Sequence, residues 1–272
     1  MDMRKFVTWL SRSSFLRRAA QRLHLHDLLN WYLRRFPIVR KLPRSGIVYR
    51  ATSLESIPLG VEMFGGDKLY RRKDLQDGFS TFADLGCNVG YFTCLLAHFA
   101  QGRKLQGLMI DANSAVVQEA KWHAEANRLA NVFAFQGIVG EPSKNGQAPF
   151  YLYASNICSS SRPVEVESLA LKGEWTEVKV PCLNVETIWN QKFGEARCQL
   201  LKIDVEGSEL DFLQTEQTFL RRVDSILLEW HKWRVALSDV QSCLKEQGFE
   251  LREIFEEDQN MGTCFFKRKL AV

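Results

Sequence analysis

Phe82-Ala83-Asp84-Leu85-Gly86-Cys87-Asn88-Val89-Gly90, continuing into Tyr91-Phe92-Thr93-Cys94-Leu95-Leu96-Ala97, is the stretch that decides the fold. It predicts the end of a buried strand, a tight glycine turn and the start of a helix. Gly86 and Gly90 lack a Cβ, so the chain can bend sharply and a ligand can approach the backbone. A helix beginning near Gly90 turns free N–H groups toward that ligand. Such a turn belongs at the carboxyl end of the first strand of a doubly wound sheet, where ligands bind.

The acid narrows the ligand. A dinucleotide turn reads G-x-G-x-x-G, because a pyrophosphate must rest on the helix N-terminus. Here the spacing is D-x-G-x-N-x-G. Asp84 at the strand end repels a pyrophosphate and suits a cationic ligand. S-adenosyl-L-methionine (SAM), with its amino group and sulfonium, is such a ligand. Asp84, Gly86, Asn88, Gly90 and Tyr91 are therefore expected at a SAM site. The bland alternative is a glycine turn with no ligand.

Outward from the turn, apolar runs alternate with helical periods. Strands are expected at Thr81–Leu85, Leu105–Asp111, Val132–Val139, Leu200–Asp204 and Ser225–Trp230. Helices are expected at Gly90–Phe99, Ser114–Asn127, Ser208–Leu220 and Ala236–Gln247. This alternation implies right-handed crossovers and a parallel sheet. Phe249–Phe255 and Thr263–Lys267, joined by a short polar turn, form a hairpin that adds an antiparallel strand. Between residues 140 and 197, Phe150–Tyr153 and Glu177–Pro181 read as strands around the polar loop Ser155–Arg162. Residues 37–80 are rich in turn formers, with short strands expected at Gly46–Ala51 and Gly60–Phe64, and a short helix at Asp67–Asp74.

Strand ends supply the remaining candidates. Asp111 can accept both hydroxyls of a ribose or serve as a helix cap, although Asn113 or Ser114 can fill that role. Gln136 ends the third strand, where an adenine edge would lie. In Lys202-Ile203-Asp204-Val205-Glu206-Gly207-Ser208-Glu209, a hydrophobic strand delivers Asp204 and Glu206 to the carboxyl face. Two acids that close are costly unless they bind a cation or move a proton. Leu228-Glu229-Trp230-His231 ends the next strand, and His231 is either a general base or a structural histidine. The acid pair can hold Mg²⁺ against a diol, but no third ligand is evident and no metal is expected.

The pairing of Asp84-Leu85-Gly86-Cys87-Asn88-Val89-Gly90-Tyr91-Phe92-Thr93 with Lys202-Ile203-Asp204-Val205-Glu206-Gly207-Ser208-Glu209 and Leu228-Glu229-Trp230-His231 resembles the FkbM family of SAM-dependent methyltransferases. The resemblance covers roughly residues 60–267. It implies a Rossmann-like class I methyltransferase: a mostly parallel seven-stranded sheet with a C-terminal antiparallel hairpin. It also implies O-methylation of a sugar, glycan, glycolipid or natural-product hydroxyl. One departure is Asp111-Ala112, where the family often shows Glu-Pro. On this reading Asp84 and the turn hold the methionine part, Asp111 the ribose, Asp204 or Glu206 lies near the methyl group, and His231 takes the acceptor's proton. An N-methyltransferase of nucleobases would instead favour an Asn-Pro-Pro-aromatic motif at Asp204-Val205-Glu206-Gly207.

The net charge is +4 over 272 residues, but basic residues crowd the first fifty positions, from Arg4 to Arg50, against Asp2 and Asp27. Residues 1–45 are expected to be a basic amphipathic helical arm, and 46–272 the methyltransferase domain. Phe6, Trp9, Leu10, Leu16, Ala20 and Leu23, then Leu28, Leu29, Tyr32, Leu33 and Phe36, fall near one helical face. Such a helix packs on its own domain or a twin subunit, or lies on an anionic membrane. A non-catalytic protein working through this arm is the rival class, but intact motifs argue against decay. The aromatics form no base-stacking platform, so no nucleic acid is expected. Seven cysteines without C-x-x-C pairs, no visible signal peptide and no run long enough to span a membrane fit a cytoplasmic protein.

Overall fold

The computed structural model describes residues 25–65, 73–76, 78–140, 146–153 and 175–269. The expected helix over 1–24, most of the 67–74 helix, the Ser155–Arg162 loop and Cys158 lie outside them. The chain runs α1 (Leu25–Arg35), β1 (Ile38–Lys41), β2 (Val48–Ala51), α2 (Ser56–Gly65), α3 (Lys73–Gln76), β3 (Thr81–Leu85), α4 (Tyr91–Ala100), β4 (Gln106–Asp111), α5 (Ser114–Ala126) and β5 (Asn131–Gln136). It continues with β6 (Gln147–Tyr153), β7 (Trp175–Pro181), α6 (Val185–Phe193), β8 (Cys198–Ile203), α7 (Glu209–Thr215), α8 (Gln217–Leu220), β9 (Val223–His231), α9 (Leu237–Glu246), β10 (Phe249–Glu257) and β11 (Met261–Arg268).

Seven strands form one sheet in the order β10-β11-β9-β8-β3-β4-β5. β3 pairs parallel with both β4 and β8, while β11 is antiparallel to β9 and to β10. The expected mostly parallel sheet closed by an antiparallel hairpin is the one that forms. Its order reverses at β3, so a crevice opens beyond Leu85. The inner strands are apolar on both faces because helices cover both. On one side Phe92, Leu95, Leu96, Ala120 and Ala124 of α4 and α5 pack on Phe82, Met109 and Leu200. On the other, Trp189, Phe212, Phe219, Val240 and Leu244 of α6 to α9 pack on Leu85, Leu201 and Leu228.

Four elements differ from expectation. Gly60–Phe64 is helix within α2, not strand. Ser53 Oγ accepts from Ser56 N at 3.1 Å and Ser56 Oγ accepts from Ser53 N at 3.0 Å, a reciprocal start that also tolerates Pro58 in the first turn. The expected helix Ser208–Leu220 breaks at Glu216, whose carboxylate accepts from Val185 N (2.7 Å) and Asn184 Nδ2 (3.0 Å) and so caps α6. α6 itself was not expected, although Asn184 before it is a helix start signal and Gly194 after it a stop signal. β1 was not expected either, and pairs with β2 across the 45/46 boundary.

α1 packs through one face only. Leu29 and Leu33 lie with Ile38, Ala51, Leu54 and Ile57. Asn30 Oδ1 accepts from Leu54 N at 2.9 Å, and His26 Nε2 lies 2.5 Å from Glu55 Oε1. Leu28, Trp31, Phe36 and Val39 are exposed. No helix among the described residues is long and apolar enough to cross a membrane.

Candidate active site

The crevice is built on the glycine turn. Gly86 takes φ 74°, and a Cβ there would stand 1.6 Å from the Asp204 carbonyl oxygen, so the turns after β3 and β8 touch backbone to backbone. Gly90 also has positive φ, with Ala120 packed beneath it. Asn88 is left-handed at φ 49°, and its Oδ1 accepts from Val89 N at 2.8 Å. Asp111 fastens the turn: Oδ2 accepts from Asn88 N and Oδ1 from Asn113 N, both at 2.9 Å. Burial pushes the Asp111 pKa up to about 6 despite these two donors. Asn113, not Asp111, caps α5, through Ala115 N at 3.0 Å.

Gly86, Asn88, Asp111, Asp204 and Glu206 line one cleft, whose apolar side is Ile110, Ala112, Ile138, Val139 and Phe150. Four expected residues, Asp84, Gly90, Tyr91 and Gln136, are not in its lining. Asp84 is fully buried beneath the turn, where Oδ2 accepts from Thr93 Oγ1 at 3.4 Å and Oδ1 lies 3.6 Å from Lys202 Nζ. Desolvation raises its pKa, with Lys202 opposing. Tyr91 turns away: its hydroxyl donates to the Arg50 carbonyl at 2.7 Å and its ring meets Tyr49, Phe64 and His123. Gln136 is exposed beside Asp111 in the β4–β5 register, and its Nε2 donates to the Ala112 carbonyl at 3.2 Å.

The ends of β8 and β9 bring Asp204, Glu206 and His231 together. His231 Nε2 is 3.2 Å from Glu206 Oε2 and 3.6 Å from Glu229 Oε1, and Nδ1 is 2.8 Å from Glu209 Oε1. Glu206 reaches this position from a left-handed φ of 49°, followed by Gly207 at φ 93°. Glu209 also accepts from Gly207 N at 2.9 Å. Lys202 Nζ donates to Asp204 Oδ2 at 3.0 Å. Burial works to lower the His231 pKa, but the Glu209 hydrogen bond and the Glu206 carboxylate push it up to about 10. In this state the imidazole holds both protons, so it receives another group's proton only after giving one up. One donor atom each from Asp204, Glu206 and His231 lie within 4.8 Å of one another, a spacing that one ion could bridge.

The Methyltransferase FkbM domain matches residues 95–251, more than half of the chain. The chain belongs to the FkbM methyltransferase family. No curated protein matches it. Among solved structures, the methyltransferase FkbM from Methylobacillus flagellatus KT is similar at 13% identity and a TM-score of 0.47, covering 79% of this chain and 53% of that one. TrmK of M. capricolum, in complex with S-adenosyl-homocysteine, is similar at 10% identity and 0.44, covering 72% and 66%. Magnesium protoporphyrin IX methyltransferase from Synechocystis PCC 6803, with bound SAH, is similar at 10% and 0.46, covering 79% and 86%.

Several residues of this FkbM chain were not singled out from sequence. Glu209 and Lys202 lie in the quoted motif, but nothing in the motif says that one orients His231 and the other pairs with Asp204. His123 gave no signal. Its Nδ1 donates to the Val89 carbonyl at 2.8 Å and its Nε2 accepts from Arg50 N at 2.9 Å, joining α5 to the glycine turn and to β2. Burial drops its pKa to about 4, so it stays neutral and keeps one donor and one acceptor.

Proposed function

We propose that this FkbM-family chain is a cytoplasmic SAM-dependent methyltransferase that methylates a hydroxyl of a sugar, glycan, glycolipid or natural product. One observation carries the reading. The Asp111-pinned glycine turn lines the same cleft as Asp204 and Glu206, and His231 stands behind Glu206 at 3.2 Å. When bound, SAM supplies an electrophilic methyl group on a sulfonium. Asp111, ionised above about pH 6, would accept the ribose hydroxyls on lone pairs left by Asn88 and Asn113. Ile138 and Phe150 offer the adenine an apolar wall. Positioning and exclusion of water provide most of the acceleration. The hydroxyl proton would pass to the carboxylate–imidazole group at the ends of β8 and β9.

The arm belongs to the same proposal. Leu28, Trp31, Phe36 and Val39 are exposed apolar side chains, and Arg34, Arg35, Arg40 and Lys41 accompany them in sequence. That composition suits peripheral attachment to an anionic membrane, where lipid-linked glycans would be acceptors. The deciding experiment is calorimetric titration with SAM, followed by methyl transfer to a panel of glycans and glycolipids. Absence of SAM binding by the folded chain overturns the enzymatic reading and leaves the non-catalytic, membrane-surface alternative.

A further inference from the structure

Asp84, Asp204, Glu206, Glu209 and Glu229 crowd the carboxyl ends of β3, β8 and β9, faced by Lys202 and His231. We propose that Asp204, Glu206 and His231 bind one divalent cation of the manganese or zinc type, and that the acceptor hydroxyl coordinates to it. This rests on the reading that the acceptor occupies this end of the cleft. The donor spacing fits: ligand bonds of about 2.0–2.4 Å place two donors on one ion up to roughly twice that distance apart, and the three donors lie within 4.8 Å of one another.

Two further observations point to a ligand. Glu209 holds His231 Nδ1 at 2.8 Å, which turns Nε2 toward Glu206. A carboxylate on the far nitrogen is how metal-binding histidines are oriented and made more basic. Glu209 is also fully buried, and its second oxygen has no hydrogen-bond partner. A buried carboxylate with an unmatched oxygen is costly unless cations offset it. Asp204 gives one oxygen to Lys202 and has a second to give. Two carboxylates and an imidazole suit manganese or zinc, whereas calcium and magnesium prefer oxygen throughout.

The ion would make the bound hydroxyl more acidic. Its proton is released to water. The oxygen's electron pair forms the new C–O bond as the C–S bond of the sulfonium breaks, and the sulfur leaves as a neutral thioether.

The test titrates chelator-treated full-length protein with MnCl₂, reading free Mn²⁺ by electron paramagnetic resonance. One equivalent should bind to wild type. Asp204→Asn and His231→Ala should weaken it by at least about tenfold, and Glu209→Gln by about 10–100-fold, the scale for losing an outer-shell partner. Glu206→Gln keeps the shape of the site if His231→Ala does not fold. No stoichiometric binding, or equal binding by wild type and all four variants, overturns the proposal. SAM is titrated into the same samples: SAM binding without Mn²⁺ binding removes only the ion, and Mn²⁺ binding without SAM binding removes only the cofactor reading.

Discussion

On the proposed reading, Asp111 serves two bonding schemes. In the protein alone it accepts Asn88 N and Asn113 N, and burial raises its pKa to about 6. Ribose binding needs the ionised form. SAM affinity is therefore expected to fall by about tenfold per unit as pH drops below about 6, the limit for one required deprotonation. Asp111→Asn should flatten that profile, which calorimetry across the range will show. Gly86 allows a simpler expectation. With φ 74° and a Cβ position 1.6 Å from the Asp204 carbonyl oxygen, Gly86→Ala must push two turns apart. It should lower stability by about 2–4 kcal/mol in denaturant unfolding, as strain plus overpacking does. His231→Ala should reduce turnover by about 10²-fold or more while leaving SAM affinity nearly unchanged, which steady-state kinetics beside a binding titration will check. The glycines and acids of this site were legible in sequence because chemistry restricts those positions to few residue types. The orientation of Tyr91 toward Arg50 and the depth of Asp84 were not, since neighbours distant in sequence decide them.

Among the elements, sequence read best where periodicity was long. The strands and helices from β3 to β5 and from β8 to β11 were legible to within a few residues. α2 was misread because Gly60 and Pro58 look like breakers, yet Gly60 lies against the Tyr49 ring, where its small size is useful. The break at Glu216 was invisible because its cause, the N-terminus of α6, lies some thirty residues away in sequence. α1 is tied to α2 by the His26–Glu55 pair, which gives a pH signature. The His26 pKa is raised, first by its hydrogen bond to Glu55, so its contribution is present at low pH and fades as pH rises through that raised value. Burial raises the Glu55 pKa, but His26 outweighs it and the net shift is downward, so its contribution fades as pH falls through that lowered value. The pair is complete between the two, near pH 5 to 6.5 by ordinary Glu and His values of about 4.3 and 6.5. Thermal melts of wild type and Glu55→Gln should differ most in that window and converge toward alkaline pH.

At the scale of the whole molecule, the proposal gives work to two faces, the cleft and the exposed side of α1. If the latter rests on lipid, flotation with anionic liposomes should carry the wild-type protein at low salt and lose it as salt rises, because screened charges contribute. Trp31→Ser with Leu28→Ser should abolish flotation and leave thermal stability nearly unchanged, since both side chains are exposed. A wild type that never floats removes the membrane from the proposal. The sheet carries a consequence for how the protein is made. β11 lies between β9 and β10, and Met261 pairs with His231. During synthesis β9 therefore waits with one edge bare until β11 has left the ribosome. An unpaired apolar edge invites pairing with other chains. Nascent chains stalled just before Phe249 should thus bind chaperones and resist assembly of the cleft, and emergence of β10 and β11 should relieve both.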